Sequence, residues 1–215
     1  MVVYILLLIP VAAISYLFGS LKSLVLASNF IFHANMRRLG RGNDFLANFR
    51  RVYGIKGALE LLAVELVKDI IPIMIGGLIL GIKGHSDAGK AFAGFCIVMG
   101  SLYPLFYNLR GNHGIVPLIV AAGFMDASLG IVVAVVVIGI LYFTKYISLA
   151  AVAGAVFMAI ASLLILEDNL LIILAVLTAA LVLVKHIPAL RRIVKGQEEK
   201  YSFRLDLSYK FDEKF

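Results

Sequence analysis

Long apolar runs separated by compact polar clusters set the pattern of this chain. The first run, Val2–Phe18, ends at Gly19-Ser20. Others follow at Ala58–Ile82, Ala91–Tyr107, Ile115–Met125, Leu129–Thr144, Ile147–Leu166 and Leu170–Val184. Crossing a bilayer takes roughly 20 apolar residues, because a helix rises about 1.5 Å per residue and the hydrocarbon core is about 30 Å thick. Several of these runs approach or exceed that length. Leu24–Phe32 is too short to cross and is expected to lie along the interface or to re-enter. The pattern predicts an all-α, polytopic membrane protein of about seven transmembrane helices with cytoplasmic polar loops.

Composition agrees. The 215 residues are 62% hydrophobic, with mean hydropathy +1.00, where a soluble domain is nearer half apolar. Little length is left for a separate soluble domain. Net charge is +7, and the basic residues are clustered. In such a chain that reports orientation and lipid headgroups, and nucleic acid is not an expected partner. The short run Ile115–Met125 decides the topology. If it crosses, seventeen Lys/Arg share one side, only Lys83 and Lys90 face the other, and Lys68 lies inside a span. The positive-inside rule then predicts the N-terminus outside and the C-terminus in the cytoplasm. Met1–Phe18 has no basic leader and no small-residue cleavage site, so it reads as a retained span. Cys96 is a lone cysteine in an apolar run and builds no disulfide framework.

Candidate chemistry sits in the polar clusters. Between Met36 and Asn48 fall Arg37, Arg38, Arg41, Gly40, Gly42, Asn43 and Asn48. Arginine forks match phosphate oxygens, and glycine-rich turns aim backbone N–H groups at an anion. By chemistry this is an anionic-headgroup or phosphate site, or a positive-inside loop with glycines for turning. The turn Arg110-Gly111-Asn112-His113-Gly114 and the start of the tail at His186 fall on the same predicted face. Three clusters distant in sequence are expected to converge on one cytoplasmic pocket. Glu65 and Lys68 are spaced i, i+3 on one helical face and read as a structural pair. The four histidines show no short ligand spacing, so no metal is expected.

In order and spacing these clusters resemble the motifs of the bacterial acyl-phosphate:glycerol-3-phosphate acyltransferases, the PlsY-type membrane family, over roughly residues 4–203. Gly19-Ser20 matches the family's opening Gly-Ser. Arg37, Gly40, Gly42, Asn43 and Asn48 match in part Arg-x-x-Gly-Ser-Gly-Asn-x-Gly-x-x-Asn, with Arg41 and Phe45 in place of a serine and a glycine. Glu65 and Lys68 approximate Asp-x-x-Lys. Gly100-Ser101-Leu102-Tyr103-Pro104 stands for Gly-His-x-x-Pro, and Gly111-Asn112-His113-Gly114 for Gly-Gly-Lys-Gly. His186, Arg192, Gly196 and Glu198 match the last motif, with Ala189 in place of its asparagine.

The resemblance implies transfer of a fatty acyl group from acyl-phosphate to glycerol 3-phosphate, giving lysophosphatidate, in the bacterial inner membrane and without cofactor. It implies catalytic roles for Ser20, Arg37, His113 and His186. Gly40, Arg41, Gly42, Asn43, Asn48, Gly111 and Gly114 would bind substrate, and Glu65, Lys68 and Glu198 would be structural. The replacements at Ser101, His113 and Ala189 keep a second reading open: a non-catalytic relative that binds a phospholipid or acyl-phosphate head. Residues 1–200 would form the acyltransferase domain. Residues 201–215 would be an extension, because Tyr201, Phe203, Leu205, Leu207, Tyr209 and Phe211 alternate with polar residues as an extended strand does. That extension is expected to dock on the cytoplasmic loop, on a protein partner or at the membrane surface.

Overall fold

The computed structural model describes residues 2–30, 45–109, 111–198 and 200–201. In chain order the helices there are α1 (Val2–Ser20), α2 (Ser23–Phe30), α3 (Phe45–Gly81), α4 (Ser86–Leu102), α5 (Ile115–Met125), α6 (Ala127–Thr144), α7 (Ile147–Ile165) and α8 (Asn169–Val194). A 3₁₀ turn, Leu105–Tyr107, follows α4. Among the described residues there is no strand.

Three helices differ clearly from the apolar runs that predict them. α8 continues to Val194, ten residues past the expected Val184, so His186 lies inside a helix and not at the start of a tail. α3 starts well before Ala58 and is broken at Gly54, whose φ of 66° and ψ of −162° suit a residue without Cβ. α4 runs from Ser86 because a polar first turn with Asp87 complements the helix N-terminus. It stops ahead of Pro104, whose ring drives Tyr103 out of helical geometry, to φ −129° and ψ 64°.

Four segments among the described residues are long and apolar enough to cross a bilayer: α4 with its 3₁₀ extension, α6, α7 and α8. α1 is apolar over 19 residues, α5 has only 11, and α3 carries Glu60, Glu65, Lys68 and Asp69 within its apolar length. Length and apolar composition together therefore mark these four crossings among the described residues. α5 spans only about 16 Å at 1.5 Å per residue. Its Pro117, Leu118, Ala121, Ala122 and Met125 are buried against neighbouring helices, so protein rather than lipid surrounds most of it.

The bundle has two cores. Leu118, Leu129, Val133, Met158, Leu174 and Val182 join α5 to α8, while Val11, Ile73, Ala93 and Ile97 join α1, α3 and α4. Exposed Ile131, Val135, Ile138, Phe143, Leu164 and Ile173 form the lipid-facing surface. Where α1 meets α4, a Cβ on Gly19 would strike the Ile97 carbonyl, and one on Gly100 would strike the Tyr16 carbonyl. Two bare backbones thus lie in contact, as small residues permit between membrane helices. That crossing holds the C-terminal ends of α1 and α4 together, where the polar clusters lie.

Candidate active site

Tyr16 and Ser20, one helical turn apart on α1, bind this end of the bundle. The Tyr16 hydroxyl donates to the Tyr103 carbonyl at 2.7 Å, tying α1 to the end of α4. Ser20 is buried, and its hydroxyl donates to the Tyr16 carbonyl at 2.8 Å. The Leu105 amide donates to the Ser20 hydroxyl oxygen at 3.5 Å. The Ser20 proton is therefore engaged by its own helix.

Beyond Pro104 the connector folds back over α4. Asn108 and Leu109 take left-handed φ of 51° and 59°. The Asn112 amide donates to the Ser101 carbonyl at 3.1 Å. Gly111 lies so close to the Ser101 and Leu102 carbonyls that a Cβ has no room. Gly114, at φ 69°, starts α5 with no side-chain cap. This path carries His113 to α8, where its ring stacks on that of His186 with centroids 5.8 Å apart and 26° between planes.

His186 is buried, and its Nδ1 lies 2.8 Å from the Val182 carbonyl. A carbonyl oxygen only accepts, so Nδ1 carries the proton and, in the neutral ring, Nε2 is left as an acceptor. His113 is half-buried. Burial first, then His186, Lys185 and Arg192, lower its pKa to about 4 against an opposing pull from Glu198. His113 is therefore neutral at neutral pH, a hydrogen-bonding group where the resemblance places a permanent cation.

The segment after α8 closes this end. It turns at Gly196, φ 68°. Glu198 accepts from the Ser148 hydroxyl at 3.1 Å and from Arg192 Nε at 2.6 Å. The Tyr201 amide donates to the Lys145 carbonyl at 2.7 Å. The start of the tail is thus pinned to the α6–α7 turn.

The glycerol-3-phosphate acyltransferase family matches residues 9–196. The chain belongs to that family. It is 25% identical over 196 residues to the glycerol-3-phosphate acyltransferase of Thermoanaerobacter sp. (strain X514), covering 91% of this chain and 96% of that one. It is 29% identical over 204 residues to that of Streptococcus pyogenes serotype M5 (strain Manfredo), covering 91% and 93%. The fold is that of PlsY (YgiH), an integral membrane glycerol 3-phosphate acyltransferase whose glycerol 3-phosphate form aligns with a TM-score of 0.72 at 21% identity, over 91% of this chain and 96% of that one. Its lysophosphatidic acid form aligns equally well, with a TM-score of 0.72.

In this acyltransferase a second polar cluster lies beside the α1–α2 turn. Lys68 is buried and donates to Glu65 at 3.0 Å and to the Leu21 carbonyl at 3.3 Å. It also lies 3.4 Å from Asp69, which is fully buried and has no hydrogen-bond partner on either oxygen. The Ser23 hydroxyl donates to Glu65. This cluster joins α3 to α1 and α2 just beyond Ser20.

The acyltransferase thus gathers Ser20, Gly111, His113, Gly114 and His186 around the α4–α5 connector, with Glu198 close by. Glu65 and Lys68 stand apart from the histidines. Arg37, Gly40, Arg41, Gly42 and Asn43 lie outside the described residues, and of Asn48 only its place on the first turn of α3 is described. An apolar cavity of about 330 Å³ at the opposite end, lined by Leu80, Phe92, Leu170 and Leu174 with His85, has no such chemistry. Sequence reasoning missed Tyr16, Tyr103, Ser148 and Lys185. Only Lys185 carried a signal, its position directly before the motif histidine.

Proposed function

We propose that this chain transfers a fatty acyl group from acyl-phosphate to glycerol 3-phosphate at the end of the bundle that holds His113 and His186. The observation that carries the reading is the stacked histidine pair, formed by two segments far apart in sequence, within a chain that matches its family over most of its length. In the reaction a glycerol hydroxyl oxygen attacks the acyl carbonyl. The new ester C–O bond forms as the bond from acyl carbon to phosphate oxygen breaks. Inorganic phosphate departs, and the hydroxyl proton ends on phosphate. The nucleophile belongs to the substrate, so no covalent enzyme intermediate forms.

Two anionic phosphates must approach each other, and the barrier falls when fixed donors and cations face them. Arg37 and Arg41 supply that screening from the 31–44 segment, with Gly40, Gly42, Asn43 and Asn48 shaping an anion-binding loop. His186 offers Nε2 to the glycerol hydroxyl, His113 adds a neutral donor, and Gly111 and Gly114 let their turn approach. Ser20 positions the junction between α1 and α4. Glu198 holds Arg192 and the tail in place. Residues 1–200 form the acyltransferase domain, and 201–215 form an extension that engages a partner or the membrane surface. The clustering of seventeen of the twenty Lys/Arg favours an N-terminus outside and a C-terminus in the cytoplasm of the bacterial inner membrane.

The test is the purified protein in lipid vesicles, given acyl-phosphate and glycerol 3-phosphate. Lysophosphatidate and phosphate are expected in equal amounts, and neither substrate alone gives product. No lysophosphatidate from folded protein would leave the non-catalytic, headgroup-binding reading in its place. Cysteines introduced at positions 112 and 86 should label from opposite faces of the membrane.

A further inference from the structure

We propose that Lys185 binds a substrate phosphate monoester and supplies the permanent positive charge that position 113 lacks. The proposal rests on the acyltransferase reading above and adds a residue to that site.

The described cations differ in what neutralises them. Lys68 lies against Glu65 and Asp69, Lys90 pairs with Asp87 at 2.9 Å, and Arg192 pairs with Glu198 at 2.6 Å. Lys185 is held by uncharged groups. Its Nζ lies 4.5 Å from the centre of the Tyr103 ring and 3.4 Å from the Leu109 carbonyl oxygen. A ring face and a carbonyl steady an ammonium without cancelling its charge. That charge stays available to an incoming anion.

Its place fits the chemistry. Tyr103 and Leu109 belong to the connector that carries His113, and the residue after Lys185 is His186, which stacks on His113. α8 therefore brings a cation and an imidazole to one connector from adjacent positions. Successive helix residues are about 100° apart around the axis, so Lys185 flanks the histidine pair. Its side chain is half-buried, with the ammonium at the exposed end of an apolar stem. Such a stem lets the head move from the Leu109 carbonyl to a phosphate without a backbone shift. The same connector leads into α5, whose first turn has no side-chain cap on its backbone amides.

The charge balance calls for such a residue. A phosphate monoester carries close to two negative charges at neutral pH. The neutral imidazole of His113 donates a hydrogen bond but no charge. Lys185 also contributes to keeping His113 neutral. The cation has therefore moved from the connector to α8.

Three variants in lipid vesicles test this: Lys185→Gln, Lys185→Arg, and Lys185→Gln combined with His113→Lys. KM is measured for glycerol 3-phosphate and, separately, for acyl-phosphate; the substrate whose KM rises identifies the phosphate bound. Lys185→Gln should raise one of them at least tenfold. Lys185→Arg should stay within about threefold of the wild type, and the double variant should recover most of the loss. A second measurement uses wild-type protein alone. Saturating glycerol 3-phosphate or acyl-phosphate should slow acylation of Lys185 by an amine-reactive ester severalfold, read by peptide mass spectrometry, and leave the exposed Lys83 at the other end unchanged. Unaltered KM values in folded Lys185→Gln, or protection of Lys185 no greater than that of Lys83, would overturn the proposal. A wild type that makes no lysophosphatidate yet protects Lys185 would instead overturn the acyltransferase reading and keep the phosphate site.

Discussion

The Lys68 cluster and the His113–His186–Lys185 cluster stand at the same end of the bundle but are built on opposite plans. Around Lys68 the buried ammonium is compensated from within the cluster: it faces the carboxylates of Glu65 and Asp69 and donates to the Leu21 carbonyl, while the Ser23 hydroxyl donates to Glu65. Around His113 the imidazoles are neutral or engaged by backbone, and the nearby ammonium of Lys185 rests on a ring and a carbonyl. The first arrangement has its counter-ions within it and serves the fold. The second leaves positive charge uncompensated, which is what an anionic substrate requires.

This contrast is breakable in order of effect. Lys68→Met strands Glu65 and Asp69 without their cation. Removing one partner of a buried ion pair costs about 3–5 kcal/mol, and a large fall in melting temperature in detergent is expected. Lys185→Gln, at a half-exposed position, should shift stability by no more than about 0.5 kcal/mol. Equal melting temperatures for Lys68→Met and the wild type would show that the closed cluster does not hold the fold.

Arg37→Ala should act on turnover alone. Loss of a charge-assisted contact made in the transition state costs on the order of 3 kcal/mol, about a hundredfold in rate. The variant should insert and melt like the wild type while lysophosphatidate production collapses. Retained activity would shift the screening to Arg41 and Lys185.

His113 gives the open cluster a pH signature. Its pKa in the folded protein is about 4, below the unfolded value of about 6.5. Between those values the unfolded chain binds the proton more readily, so this residue contributes stability that is full above pH 6.5 and is lost as pH falls toward 4. The span corresponds to at most about 3 kcal/mol. His113→Asn should flatten the melting-temperature profile between pH 4 and 6.5 relative to the wild type. Parallel profiles would mean that His113 is not buried as described.

Smaller effects probe the edges of the two clusters. Glu198→Gln weakens the contacts to Ser148 and to the half-exposed Arg192, for about 1 kcal/mol, and should raise amide exchange at residues 196–201. His113→Lys should increase activity a few-fold, because it adds a cation beside Lys185. Since His113 is already neutral well below pH 7, the gain should extend across pH 6–8. A gain seen only above pH 7 would indicate a histidine of ordinary pKa.

The sequence by itself determined the hydrocarbon runs, their order and the places where polar residues interrupt them. Apolar length and the spacing of Gly19-Ser20, Gly111–Gly114 and His186–Glu198 are properties of the chain, so helical class and family were readable from them. Tertiary structure decided what each polar group does. It set Ser20 beside the Leu105 amide, with the hydroxyl donating to the Tyr16 carbonyl. It stacked His113 on the distant His186, where burial lowers its pKa to about 4. Lys185 had no assigned role until its ammonium was placed over Tyr103, on a connector some eighty residues earlier in the chain. Burial, charge state and hydrogen-bond partner all depend on atoms supplied by distant segments, and no local spacing encodes them.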